Sequence, residues 1–154
     1  LVVDVHGSAG SKPVLSERLA RRETELAWSS LRAALEGFCE PDQAVLPSGL
    51  PGVHLLSSDG RAFGASALGA DGFGRVLDDL SKRFSMIFID APPVLTSSIT
   101  VFLAEWCDVA LLVARGGRTN KGDLKRARAR LATAGIEPVL GVLNGVAKTY
   151  DPTR

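Results

Sequence analysis

Two aspartates, Asp4 and Asp90, each close a short run of apolar residues. Leu1-Val2-Val3 precedes the first, and Met86-Ile87-Phe88-Ile89 precedes the second. Runs of that length and composition predict parallel strands buried on both faces. Each acid then stands at a strand's carboxyl end, the edge where open α/β sheets bind ligands. Pro92-Pro93 comes one residue after Asp90. Proline lacks the N–H that a ladder needs, so the chain must leave the sheet there and hold the carboxylate at the rim. A carboxylate so placed can orient a magnesium-bound water. The plain alternative is an acid that caps a turn.

The segment around Asp90 has the form of a Walker B strand, whose acid lies near a nucleotide phosphate. A matching phosphate cradle is not at hand downstream of Asp4. Gly7-Ser8-Ala9-Gly10-Ser11-Lys12-Pro13 holds glycines and a lysine. The phosphate loop needs glycine directly before the lysine and a hydroxyl directly after it. Ser11 and Pro13 occupy those places, so a flexible turn is the better reading.

The intervening residues must build a sheet that carries the two acids. Pro13 to Trp28 is polar and rich in Glu and Arg, a weakly buried helix. Leu31, Ala34 and Leu35 share one helical face, with Ser29 or Ser30 as N-cap and Gly37 as terminator. Gly52 to Leu56 reads as a strand, followed by a mobile loop from Ser57 to Gly69. Asp71 has the place of an N-cap for a helix with Phe73, Val76, Leu77 and Leu80 on one face. After the Asp90 strand come a short helix, Ile99 to Trp106, and an apolar strand, Val109 to Ala114. Thr119 caps a basic helix, Lys121 to Ala134, with Leu124, Ala127 and Leu131 inward and Gly135 beyond its end. The last strand runs from Pro138 to Leu143. Strands alternate with helices, and the crossovers are long enough for parallel pairing. The fold class is α/β: a doubly wound, mostly parallel sheet with helices on both faces.

Composition narrows the function. A chain of 154 residues, 45% hydrophobic, is one globular domain that buries roughly two-thirds of its unfolded surface. A net charge of +1 gives no footprint for nucleic acid or membrane. Cys39 and Cys107 lack metal-ligand spacing and suit reduced thiols in a cytoplasmic protein. No apolar run approaches a membrane span. The chain opens inside a strand without methionine, which marks it as part of a longer polypeptide.

In their order, these segments resemble the cytoplasmic domain of bacterial tyrosine kinases that regulate capsule and exopolysaccharide chain length. The resemblance rests on Leu1-Val2-Val3-Asp4, Ser30 to Gly37, Gly49 to Leu56, Ile87 to Pro93, Leu111 to Arg115 with Thr119, and Gly141-Val142-Leu143-Asn144. That domain is a deviant P-loop ATPase, similar to septum-placement and plasmid-partition ATPases. The resemblance implies ATP and Mg as cofactors. It places Asp90 at the metal and Asp4 near the acceptor, both as catalytic residues, and Asn144 near the adenine. Its Walker A loop lies upstream of the position that Leu1 matches, so one strand-loop-helix unit is missing. The missing strand lies inside the family's sheet, so its absence should leave a gap in the core. The resemblance also implies a membrane polysaccharide co-polymerase or export component as partner, in cis or trans. Location at the inner face of the membrane follows, and homo-oligomers are compatible with it.

The chain departs from the family at chemically important places. An apolar strand ending Asp-x-Asp-x-Arg stands here as Asp4-Val5-His6-Gly7-Ser8. Imidazole cannot supply a carboxylate's charge to hydrated magnesium, and imidazolium repels it. Where the kinases end in a tyrosine cluster, this chain has only Tyr150, the phosphoacceptor candidate. The expectation is therefore a regulatory domain with weakened or lost catalysis. The alternatives are an active ATP-dependent tyrosine autokinase and a partition- or septum-type ATPase. Arg115, Arg118, Lys121, Lys125, Arg126, Arg128 and Arg130 form the one basic concentration. It reads first as a solvated helix face and next as a docking surface. No aromatic residue is interleaved, which argues against nucleic acid. Trp28, Trp106 and Cys107 read as packing residues.

Overall fold

The computed structural model describes residues 1–5, 30–58, 63, 68, 69 and 71–146. The helix expected over Pro13 to Trp28, His6, the glycine-rich segment and Tyr150 lie outside the described residues. Two compact units are present, one within Leu1–Pro92 and one from Pro93 onward.

The first unit is built on β1 (Val2–Asp4), α1 (Leu31–Leu35), β2 (Leu46–Pro47), β3 (His54–Leu56), α2 (Gly72–Ser81) and β4 (Phe88–Asp90). Its four strands run in the order β2-β3-β1-β4. The β3-β1 and β1-β4 pairs are parallel, while β2 is a short antiparallel edge. Ser30 caps α1, its side chain accepting the Ala33 N–H at 3.1 Å, and Gly37 follows with φ +76°. Phe73, Val76 and Leu80 turn one face of α2 into the core. Gly72 and Gly74 are poor helix formers, so this buried face is what sustains the helix. Asp71 occupies the N-cap position of α2 but makes no capping hydrogen bond. Its backbone is helical there, whereas a capping side chain works from extended backbone.

The second unit holds α3 (Ile99–Ala104), β5 (Ala110–Arg115), α4 (Lys121–Thr133) and β6 (Val139–Asn144). β5 and β6 pair in parallel over six consecutive residues, from Ala110↔Val139 to Arg115↔Asn144. Val94, Ala104, Ala127, Leu131 and Ile136 form the core of this unit. The cap of α4 is Asn120, whose side chain accepts the Asp123 N–H at 2.8 Å, not Thr119. The Thr119 hydroxyl instead accepts the Arg115 N–H at 2.9 Å and closes the turn after β5.

The expected mixed α/β architecture with parallel pairing is present, but as two separately hydrogen-bonded sheets among the described residues. Burial of both faces does not hold for β4. Phe88 is 50% exposed and Met86, just before it, is 62% exposed. The physical reason is position: β4 pairs only with β1, and its other edge has no described neighbour. The same is true of β5, where Leu111 and Val113 are exposed.

Phe73 is fully buried. Phe73→Ala should cost about 3–5 kcal/mol, read as a lowered urea midpoint with the slope unchanged.

Candidate functional site

Leu1 begins the ladder on which the site depends. Its amino group donates to the Met86 carbonyl at 2.9 Å, and its carbonyl accepts the Phe88 N–H at 2.8 Å. From there the register runs Val2↔Phe88, Val3↔Ile89 and Asp4↔Asp90. The Val5 N–H donates to the Asp90 carbonyl at 3.0 Å and locks the last step. On the other side of β1, Val2 pairs with Leu55 and Val3 with Leu56. The Ser58 N–H donates to the Asp4 carbonyl at 3.0 Å.

Asp4 and Asp90 therefore stand level at the carboxyl edge of one sheet, on strands about 4.8 Å apart. Their surroundings differ. Asp4 is 1% exposed, whereas Asp90 is open to solvent. Register partners on parallel strands share a face, so the two side chains leave the sheet on the same side. Magnesium takes oxygen ligands, keeps several waters and commonly uses one or two carboxylates. The pair could meet such an ion only through Asp90, its exposed member. It does not make a closed site for a softer metal, since no group of three or more His, Cys, Asp or Glu is clustered among the described residues.

Asn144 lies in the second unit, at the end of β6. Its Oδ1 accepts the Gly145 N–H at 2.7 Å, and Gly145 has φ +69°. The side chain thus closes a turn. The residues of the basic concentration are exposed. Arg126 pairs with Asp123, and Arg130 donates to the Leu95 carbonyl at 3.3 Å. Burial pushes the thiols of Cys39 and Cys107 up, helped by Glu40 and Asp42 in the first case and Asp108 in the second. Both are poorly reactive, protonated thiols at neutral pH.

Sequence reasoning missed the role of Ser57 and Ser58, which it assigned to a mobile loop. The Ser57 carbonyl accepts the Leu31 N–H at 2.9 Å, tying α1 to the end of β3. Ser58 is 5% exposed and its Oγ has no hydrogen-bond partner. The signal available was position: two serines directly after an apolar strand lie at the same sheet edge as the two acids.

Tyrosine-protein kinase ptk of Acinetobacter johnsonii is 24% identical over 120 residues, 77% of this chain. Tyrosine-protein kinase CpsD of Streptococcus pneumoniae is 24% identical over 108 residues, 70% of this chain. The homologues of this chain are bacterial tyrosine kinases. It spans 16% and 48% of the length of those two relatives. No protein-family model matches it. Among solved structures, the VpsO kinase domain superposes with a TM-score of 0.77 at 21% identity, covering 95% of this chain and 70% of that one. The BceF tyrosine kinase domain gives 0.74 at 23% identity, covering 95% and 56%. The kinase domain of Escherichia coli tyrosine kinase ETK gives 0.74 at 21%, covering 97% and 56%. The fold is that of bacterial tyrosine kinase domains.

If the two acids share a hydrated cation, Asp90→Asn should weaken binding of Mn²⁺, the paramagnetic magnesium probe, by roughly tenfold or more. Water-proton relaxation reads this directly. Unchanged affinity would show that the pair holds no cation.

Proposed function

We propose that this chain is a kinase-family domain that regulates exopolysaccharide or capsule polymerisation and export, with phosphotransfer weakened or lost. The level placement of Asp4 and Asp90 at one sheet edge carries the reading, and kinship with tyrosine kinases supports it. In this reading ATP and magnesium bind at the carboxyl edge. Magnesium supplies neutralisation of charge on the transferring phosphoryl group. Asp90 accepts hydrogen bonds from water in the ion's shell, and Asp4 orients the attacking hydroxyl. Asn144 contributes its amide near the base, and Tyr150 is the candidate acceptor.

The case for weakened chemistry is local. Phosphoryl transfer rests on positioning and charge neutralisation. His6 stands where the resembling kinases have an acid, Ser8 where they have an arginine, and Tyr150 is the sole tyrosine. The exposed apolar residues Met86 and Phe88 at β4 support a further strand beside it, which in this reading brings the phosphate loop. We place the domain at the inner face of the membrane beside a polysaccharide co-polymerase. No described helix is long and apolar enough to cross a membrane, so the attachment in this reading runs through a linked or partner protein.

The same acid pair would serve an active autokinase, and one assay separates the two. The chain extended at its amino end by about 40 residues, one strand-loop-helix unit, is incubated with Mg-ATP and probed for phosphotyrosine. The regulatory reading predicts no signal, and a gain of at least about tenfold over background on restoring both side chains, His6→Asp with Ser8→Arg. Efficient phosphorylation of the unaltered chain, lost in Tyr150→Phe, would establish the autokinase instead.

A further inference from the structure

The unpaired edge of β6 lies beside a groove that neither the acid pair nor the phosphotransfer reading uses. Six residues, Val139–Asn144, pair with β5 without a bulge and present their other edge to no described strand. None of the six is charged and none is proline. Leu140 and Leu143 are each 51% exposed. Proteins usually blunt an edge of this length with lysine, proline or a bulge, because its free N–H and C=O groups template another strand. From Val139 to Asn144 this edge carries none of those devices, and Pro138 stands only at its start, where its carbonyl accepts the Ala110 N–H.

Between β6 and α4 runs a groove of about 350 Å³, with Leu112, Leu124, Val139, Gly141 and Leu143 among its walls. A Cβ built on Gly141 meets nothing within 4 Å, so the floor is open. Lys125 and Arg128 also line it. Neither has an ion pair among the described residues, although Arg126 between them pairs with Asp123. Lys121, Lys125 and Arg128 follow the i, i+4, i+7 spacing of one helix face. The groove is therefore apolar inside and cationic at its rim.

We propose that the β6 edge and this groove dock an extended segment of a partner protein, whose side chains on the α4 side are aliphatic at its centre and acidic at its ends. Main-chain hydrogen bonds to β6 supply affinity, and the alternate side chains supply specificity. Aliphatic groups fill the space over Gly141, and carboxylates meet Lys125 and Arg128. A second copy of this chain suits the edge less well, because its own basic rim would be brought against this one.

Fluorescence anisotropy on the full chain tests this, with a labelled peptide of about eight residues, a usual strand length, in which every second residue is threonine and the others run glutamate, valine, valine, glutamate, so that these share one face. The same peptide with lysine for glutamate is the comparison. The acidic peptide should bind and the basic one should not. Charge reversal, Lys125→Glu with Arg128→Glu, should invert that preference. Gly141→Val adds a strand-favouring side chain where there is room, so the melting temperature should hold or rise while affinity falls at least about tenfold. Absence of acidic-peptide binding, or binding indifferent to both variants, overturns the proposal. So does concentration-dependent dimerisation in sedimentation that the acidic peptide does not compete away, which would make a second copy the occupant.

Discussion

Parallel pairing of β1 on both of its edges is the constraint from which the site follows. Three residues, Val2–Asp4, are held between β3 and β4 in a single register. A slip of one residue on either side would turn every side chain of β1 to the opposite face. Asp4 would then enter the apolar positions of Val3 and Val5, and all three residues are buried. Burial of the two valines thus fixes the pairing that brings Asp4 level with Asp90. The acid pair is placed by hydrophobic packing.

What the sequence made legible was whatever depended on local pattern. Two acid-tipped apolar runs announced strands, and Asp4 and Asp90 stand level at the carboxyl edge of one sheet. The amphipathic face of α2 and the Ser30 cap were also readable from spacing alone. Partner-dependent features were not. Asp71 and Thr119 have capping side chains, yet the backbone puts one out of use and turns the other to a neighbouring strand. The apolar run of β4 reads as buried on both faces, but burial depends on a second neighbour that no described residue supplies. Ser57 and Ser58 look like the start of a loop, while hydrogen bonds to α1 and β1 hold them in place. Single-sequence pattern has no access to those long-range bonds.

Unlike edges point to unlike roles. β4 exposes Phe88, and β5 exposes Leu111 and Val113, residues whose composition belongs in a sheet interior. β6 has a groove with a cationic rim beside its edge, a feature of recognition more than of a core. The basic helix α4 is accordingly not uniform: Arg126 and Arg130 are engaged within the unit, while Lys125 and Arg128 face the groove. Kinship with tyrosine kinases explains the sheet and the acids but leaves this surface unassigned.

The central claim is that the paired aspartates form the metal end of a nucleotide site. Isothermal calorimetry with Mg-ATP tests it most directly, using the chain extended by about 40 residues upstream beside its Asp90→Ala variant. The account predicts magnesium-dependent binding by the first protein and its loss in the second. Equal affinity in both, or no binding by a folded extended chain, would contradict it.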